Sequence, residues 1–297
     1  MSYVLGIDLG GSSAKTVAIT PEGEILARSS VSFDAAAKMD WAAKIREIAS
    51  RIQEEQGAPA QRIGLAAPGL AARDGRSIAR VPGRLQGLEG LDWSALLERP
   101  DPVPVLNDAH AALLGEAWIG AANGFQNVIL LTLGTGVGGA AIVDGRLLRG
   151  HLGRAGHLGH ISLDIDGAPD VCGTPGSLEV LMGNCTVTER TGGRYATTHD
   201  LVAAHLAGDA EATHWWFRSV RALACAVGSF VNILDPEAVI IGGGIARAGA
   251  ALFDPLRTMT AEVEWRSVGY EVKILPATLG EHAGACGAAR NALAGAD

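Results

Sequence analysis

The chain has 297 residues, 48% of them hydrophobic, with a formal net charge of −8 and a pI near 5.5. That length and apolar content can bury one large core or two ordinary ones, and the acidic balance speaks against nucleic acid as a partner, which would call for clustered Lys and Arg. No apolar run is read as reaching the ~18 to 20 residues a bilayer span needs, and no basic leader precedes the first strand pattern, so no membrane partner is expected. Cys172, Cys185, Cys225 and Cys286 form no CxxC pair, which points to reduced thiols and a cytoplasmic protein.

In chain order, YVLGIDLGG, KTVAIT and GEILARSS read as a three-stranded meander. The spacing of Ile45, Ile48 and Ile52 predicts an amphipathic helix over 33–56 that stops at Gly57. RIGLAAPG is a strand, 70–100 is read as largely loop, and VPVLND is a short strand running into the helix AHAALLGEAW. NVILLTLGTGVGGAAIVDGRLLRG then repeats the opening theme of strands joined at glycines. Helices are expected over 178–188, 200–206 and 209–234, followed by the strand AVIIGGG, a helix after Gly249, the strand EVKILPA and an Ala-rich helix from His282. Two α/β units, each opening with a glycine-punctuated hairpin, predict two lobes with a cleft between them.

The glycine clusters carry the first functional signal. Asp8 ends a strand just before Gly10, Gly11 and Ser12, a turn that can offer backbone N–H groups and hydroxyls to an anion. Gly134, Thr135 and Gly136 form a second such turn, and Gly242, Gly243 and Gly244 a third. Three tight turns could serve shape alone, but all three follow strands of the same apolar type.

GIDLGGSSAK, LTLGTGVGGA, VIIGGGIARAG and VPVLNDAHAALLGEA together resemble the ROK family of bacterial sugar kinases and repressors, over essentially the whole chain. The resemblance implies the actin-like ATPase fold: an α/β chain of two ribonuclease H-like lobes around a central cleft. A smaller lobe would span 1–108 plus 282–297, and a larger one, with the nucleotide and sugar loops, 109–281. It further implies ATP beside Gly10, Gly11, Ser12, Lys15, the 134–136 turn and the 242–244 turn, and Mg²⁺ held through water by Asp8. Homodimerisation is implied as well.

Asp108, before an apolar helix, reads on sequence alone as an N-cap; the resemblance implies the general base that takes the proton from a sugar hydroxyl. Asn107 offers a two-sided amide to the sugar, and Gly69 would let the backbone approach it. Family members commonly carry GExGH followed by CxCGxxGCxE, whose histidine and cysteines hold a structural zinc. Here the histidine is His160, the final glutamate is Glu179, and the three cysteine positions read Asp170, Cys172 and Ser177. Zinc wants four thiolate or imidazole ligands, so no structural zinc is expected and the loop must hold itself together. The family's first glutamate is replaced by His157, so His157, His160 and Glu179 are expected to form the sugar-recognition wall, with plain glucose in doubt.

Trp215 and Trp216 on one helix read as core and interface rather than a sugar platform, and His110 as an ordinary helix residue. Arg73, Arg76, Arg80 and Arg84 read as a solvated loop. These residues point to an ATP-dependent kinase acting on a monosaccharide hydroxyl, the 6-hydroxyl of a hexose. The alternatives are a catalytically silent sugar sensor or a sugar-responsive regulator, the latter disfavoured because the first motif already begins at Tyr3.

Overall fold

Two five-stranded sheets with the same strand order organise the chain. The computed structural model describes residues 2–37, 39–81, 85–266 and 269–294. In the first sheet β1 (Val4–Leu9), β2 (Ser13–Ile19) and β3 (Ile25–Ser32) form an antiparallel meander, and β4 (Arg62–Ala67) and β7 (Val105–Asn107) extend it in parallel, in the order β3-β2-β1-β4-β7. In the second, β8 (Val128–Leu133), β9 (Val137–Val143) and β10 (Arg146–Leu147) form the meander, and β11 (Ala238–Gly242) and β12 (Lys273–Pro276) are the parallel strands, in the order β10-β9-β8-β11-β12. The repeat legible in the two glycine-punctuated hairpins is therefore a repeat of topology.

The chain divides into two units: Met1–Gly124, Arg149–Ala155 and Thr278–Asp297 form one, Phe125–Leu148 and Gly156–Ala277 the other. The first unit thus reaches beyond Asp108, where the sequence reading ended it. The reason is the interlock of α3 (Asp108–Ile119) with α9 (Ala283–Ala294). A Cβ added to Gly287 would stand 1.6 Å from the Ala111 carbonyl oxygen, and one on Gly115 would stand 2.4 Å from that of Ala283. Only glycine permits such an approach of two helix backbones. Glu116 of α3, fully buried, completes the joint by accepting from the N–H groups of Ala121, Thr278 and Leu279.

On the first sheet α1 (Asp40–Gln56) buries Trp41, Ile45, Ile48 and Ile52, and Trp41 meets Trp93 of α2 (Trp93–Leu96) at a ring separation of 5.7 Å. Each of those isoleucines contributes roughly 1.5–3 kcal/mol by leaving water. The helix starts later than its periodicity suggests because the Asp34 carboxylate accepts the Ala36 N–H in a turn of its own, while Asp34 N–H bonds Asp40. Segment 70–100 is not all loop: β5 (Leu70–Ala71) pairs with β6 (Ile78–Arg80) before α2.

In the second unit α4 (Leu178–Met182), α5 (Val187–Arg190), α6 (Thr198–Leu206), α7 (Ala210–Leu234) and α8 (Ala250–Ala261) accompany the second sheet. By length and hydropathy α7 could cross a membrane, contrary to the expectation that no stretch would qualify. Its apolar face instead buries Trp216, Val220, Leu223, Val227 and Phe230 in the core of this unit. Trp216 also donates its indole N–H to the Ala251 carbonyl at 2.9 Å, as befits a core residue.

Candidate active site

The first glycine turn joins β1 to β2 and is closed by Gly10 N–H donating to the Ser13 carbonyl at 2.8 Å. Strand pairing sets Asp8 opposite Lys15, so the carboxylate and the ammonium lie side by side at the base of the turn. Burial and, after it, the Asp108 charge push the Asp8 carboxyl up to about 7 against the opposing charge of Lys15. Gly284, in the first turn of α9, makes this possible: a Cβ there would stand 2.5 Å from Asp8 Oδ2. A half-desolvated carboxylate beside a second one is the donor set that a hard cation relieves. The residues therefore fit Mg²⁺, with Asp8 the group that would hold it.

Asn107, and not Asp108, is the N-cap of α3. Its Oδ1 accepts from Ala109 N at 3.0 Å and His110 N at 3.3 Å, and its Nδ2 donates to the Gly69 carbonyl at 2.9 Å. At 6% exposure the amide is absorbed in holding the backbone. Asp108 stands exposed at the first helical position with the positive end of α3 behind it, and its Oδ1 shares the Ala109 N–H with Asn107 at 2.8 Å. Gly69 adopts φ 100°, and a Cβ there would lie 2.4 Å from the Arg80 carbonyl oxygen, so its glycine is explained without any ligand.

The second turn, between β8 and β9, is clasped from beneath. Asn184 N–H donates to the Gly134 carbonyl at 2.9 Å and Cys185 N–H to that of Thr135 at 2.8 Å. This contact breaks the helix expected over 178–188: the chain leaves α4 at Gly183, turns both N–H groups onto the turn, and resumes as α5. Arg190 props the break by donating from Nη1 to the Gly183 carbonyl and the Thr186 hydroxyl. Glu179 accepts the Val137 N–H at 3.0 Å, and a Cβ on Gly136 would stand 2.1 Å from its Oε2. The third turn lies against the second, since a Cβ on Gly243 would come within 2.3 Å of the Leu133 carbonyl oxygen.

The histidine loop reaches the same place. Gly159 presses its backbone onto the Val137 carbonyl, where a Cβ would be 1.8 Å away, so His157 and His160, flanking Leu158 and Gly159, are anchored to the residue whose N–H Glu179 receives. His157, His160 and Glu179 are thereby gathered at the start of β9. His160 Nδ1 lies 2.7 Å from Asp170 Oδ2.

One test separates glycines that the fold needs from those it does not. Most are fixed by a left-handed φ or by an atom a Cβ would strike; among the described residues only Gly11, Gly134 and Gly244 have neither, with nothing within 4 Å of the added Cβ. They fall one in each of the three turns. Gly136, Gly242 and Gly243 of the same motifs have close neighbours of their own, and a Cβ on Gly10 would meet Ser13 O at 3.1 Å.

Sequence reading missed Gly284, Gly159, Arg190 and the partnership of Asp170 with His160. A glycine opening an Ala-rich helix and one between two candidate histidines were visible signals for the first two. The remaining singled-out residues lie elsewhere: His110 is buried with Nε2 3.0 Å from the Ala155 carbonyl oxygen. Arg73 and Arg76 are exposed, Arg80 pairs with Glu89 at 3.4 Å, and Arg84 lies outside the described residues.

Known proteins resemble this chain over nearly its whole length. The chain is 33% identical to a glucokinase of Thermotoga maritima, over 96% of each protein, and 30% identical to an N-acetylmannosamine kinase of Escherichia coli, over 97% of this chain and 98% of that one. Its structure superposes with a TM-score of 0.81 on a ROK family glucokinase from Streptomyces griseus in complex with glucose and AMPPNP, at 27% identity, covering 99% of this chain and 100% of that one. This is the actin-like ATPase fold, present as two α/β units with matching sheets. With residues 4–294 matching the family model as well, the chain belongs to the ROK family.

Proposed function

We propose that this ATP-dependent sugar kinase transfers the terminal phosphoryl group of ATP to the 6-hydroxyl of a hexose, with Asp108 as the general base. The observation that carries the reading is the trio Gly11, Gly134 and Gly244, glycines whose missing side chains leave room that the protein itself does not fill. Phosphates and a nucleoside approaching backbone N–H groups would use that room. In the transfer, the sugar oxygen forms the new bond to phosphorus while the bridging bond to the diphosphate breaks. The hydroxyl proton passes to the Asp108 carboxylate.

Mg²⁺ bound near Asp8 would neutralise charge on the transferring group. Lys15, paired opposite Asp8 on β2, adds a positive charge for the phosphates. Gly10 and Ser12 complete the first anion turn, Thr135 contributes its backbone to the second, and Glu179, His157 and His160 hold the sugar. Asn107 and Gly69 serve by fixing the backbone around Asp108, rather than by touching the sugar.

The relatives' names bring glucose and an N-acetylated amino sugar into view. His157 in place of a carboxylate favours a substrate that can accept as well as donate a hydrogen bond at that wall. The test is ADP release with MgATP over glucose, mannose, fructose, glucosamine, N-acetylmannosamine and inositol, run beside Asp108→Asn. Turnover of one sugar, lost in the variant, supports the reading. Sugar binding without ADP release in the unaltered protein would refute it in favour of a silent sensor. Sedimentation of the same preparation checks the homodimer that the family likeness suggests.

A further inference from the structure

The loop that follows His160 is built around one buried carboxylate. Asp170 Oδ1 accepts the N–H groups of Cys172 at 2.8 Å and Thr174 at 2.9 Å, Oδ2 faces His160 Nδ1 at 2.7 Å, and the Ser177 side chain also hydrogen-bonds the carboxylate. The Asp170 side chain is 1% exposed and that of His160 22%. Burial works to raise the Asp170 carboxyl, but the bonds from His160, Thr174, Ser177 and Cys172 outweigh it and hold the group below the usual carboxylate range. It is therefore an anion, and an anion has no proton to give. The short contact with His160 requires that Nδ1 carry the hydrogen.

We propose that Asp170 is a positioning residue that holds the His160 ring as its Nδ1–H tautomer, so that Nε2 meets the substrate as a hydrogen-bond acceptor. The inference rests on the sugar-kinase reading of His160 and adds to it a polarity: the group meeting Nε2 must be a donor, a hydroxyl of the sugar.

His160, Asp170 and Cys172 are also the one set among the described residues whose donor atoms lie within 4.8 Å of one another in the manner of a metal site. Their chemistry does not fit zinc. Both carboxylate oxygens already accept hydrogen bonds, and the Cys172 thiol is pushed up by burial and by the charges of Asp170 and Glu179, away from the thiolate that zinc needs. Ser177, fully buried, spends its hydroxyl oxygen on the Val180 N–H at the start of α4. The carboxylate does the metal's work of turning the ring, with the opposite result: a ring held by zinc through Nδ1 would show the substrate an N–H at Nε2.

Asp170→Asn separates these roles. The two backbone N–H groups of Cys172 and Thr174 keep the amide oxygen at the Oδ1 position, so the NH₂ group must face His160. Nδ1 then becomes the acceptor and the hydrogen moves to Nε2, with the loop's backbone contacts intact. The experiment is a long-range ¹H–¹⁵N correlation of the histidine rings at pH 8, with His160 assigned by the signals lost in His160→Gln. It is paired with sugar kinetics and with the metal content of the purified protein.

The expected result is an Nδ1–H ring in the unaltered protein and an Nε2–H ring in Asp170→Asn. The variant should show a KM for sugar raised about tenfold, as one mismatched hydrogen bond implies, with kcat within about twofold. A monofluoro analogue of the sugar, unable to donate at the contacted position, should be rejected by the unaltered protein and lose less in the variant. An Nε2–H ring in the unaltered protein overturns the proposal, as does stoichiometric zinc on Nδ1. An inverted ring with unchanged KM also overturns it. If the unaltered protein turns over no sugar, the kinase reading is what fails, and the ring spectrum still decides the tautomer.

Discussion

The two hairpins that open the two sheets share one topology and are held in different ways. The Gly10–Gly11 turn has little beneath it beyond the Gly10–Ser13 bond and the Ser12 carbonyl, which accepts from Phe33 at 3.0 Å. What surrounds it is charge: Asp8, Lys15 and Asp108. The Gly134–Gly136 turn is bound by the backbone of Asn184 and Cys185, by Glu179 through Val137 and by the third turn at Leu133. One copy of the motif is surrounded by titratable side chains, and the other is a turn preorganised by backbone contacts. The same fold element can thus be specialised by what packs under it, and each hairpin should fail in its own way.

The largest effect belongs to the charged side. Asp108→Asn should lower kcat by about 10²- to 10⁴-fold, as removal of a general base does. Because Asn107 holds the cap of α3, unfolding temperature should hardly move. An Asp108→Ala variant that loses activity and stability together would return the capping role to Asp108.

Next comes Asp8, whose carboxyl has its midpoint raised from 3.8 to about 7 in the folded protein. Between those values the native state holds a proton that the unfolded chain has released, so stability falls as pH rises from 4 to 7 and stays low above that. Roughly three pH units at about 1.4 kcal/mol each give a loss of ~4 kcal/mol. Thermal unfolding across that range, without divalent cations, should show the decline in the unaltered protein and a flat profile in Asp8→Asn. Mg²⁺ at pH 8 should restore stability to the former only. A flat profile for both would remove the raised Asp8 midpoint, and equal stabilisation of both by Mg²⁺ would remove Asp8 as the cation's holder.

The uncharged side is probed with glycines. Gly244→Ala and Gly134→Ala place a methyl where the protein has no atom, so folding should be untouched while KM for ATP rises about tenfold or more through displaced phosphate contacts. Gly243→Ala, by contrast, forces φ 85° on alanine and a clash with Leu133, destabilising by ~1–3 kcal/mol. Circular dichroism melts beside ATP titrations read both, and equal melting temperatures for all three variants would undo the distinction between fold glycines and ligand glycines.

Much of this was legible before any coordinates. The strand, glycine, strand pattern occurs twice and marks both sheets because strand pairing and tight turns are local in sequence. The break at Gly183 was hidden, because 178–188 has helical composition and only the carbonyls of Gly134 and Thr135, some fifty positions away, draw the backbone out of the helix. Asn107 and Asp108 are both good caps, and nothing local tells which side chain turns inward; the Gly69 carbonyl decides it. Asp170 reads as a lost ligand in sequence because its value lies in four hydrogen-bond donors that converge only after the loop closes.

That Gly69 contact yields the smallest and most local effect. Asn107 performs two tasks, capping α3 through Oδ1 and tethering Gly69 through Nδ2. Asn107→Ser keeps an oxygen for the helix N–H groups and drops the tether, whereas Asn107→Ala drops both. Serine caps nearly as well as asparagine, and alanine costs about 1 kcal/mol more, which in a chain this long separates their melting temperatures by roughly 2–4 °C. If the tether positions Asp108, both variants should lose the same few-fold in kcat despite that difference. If instead kcat tracks stability, Asn107 acts on the base only by holding the helix.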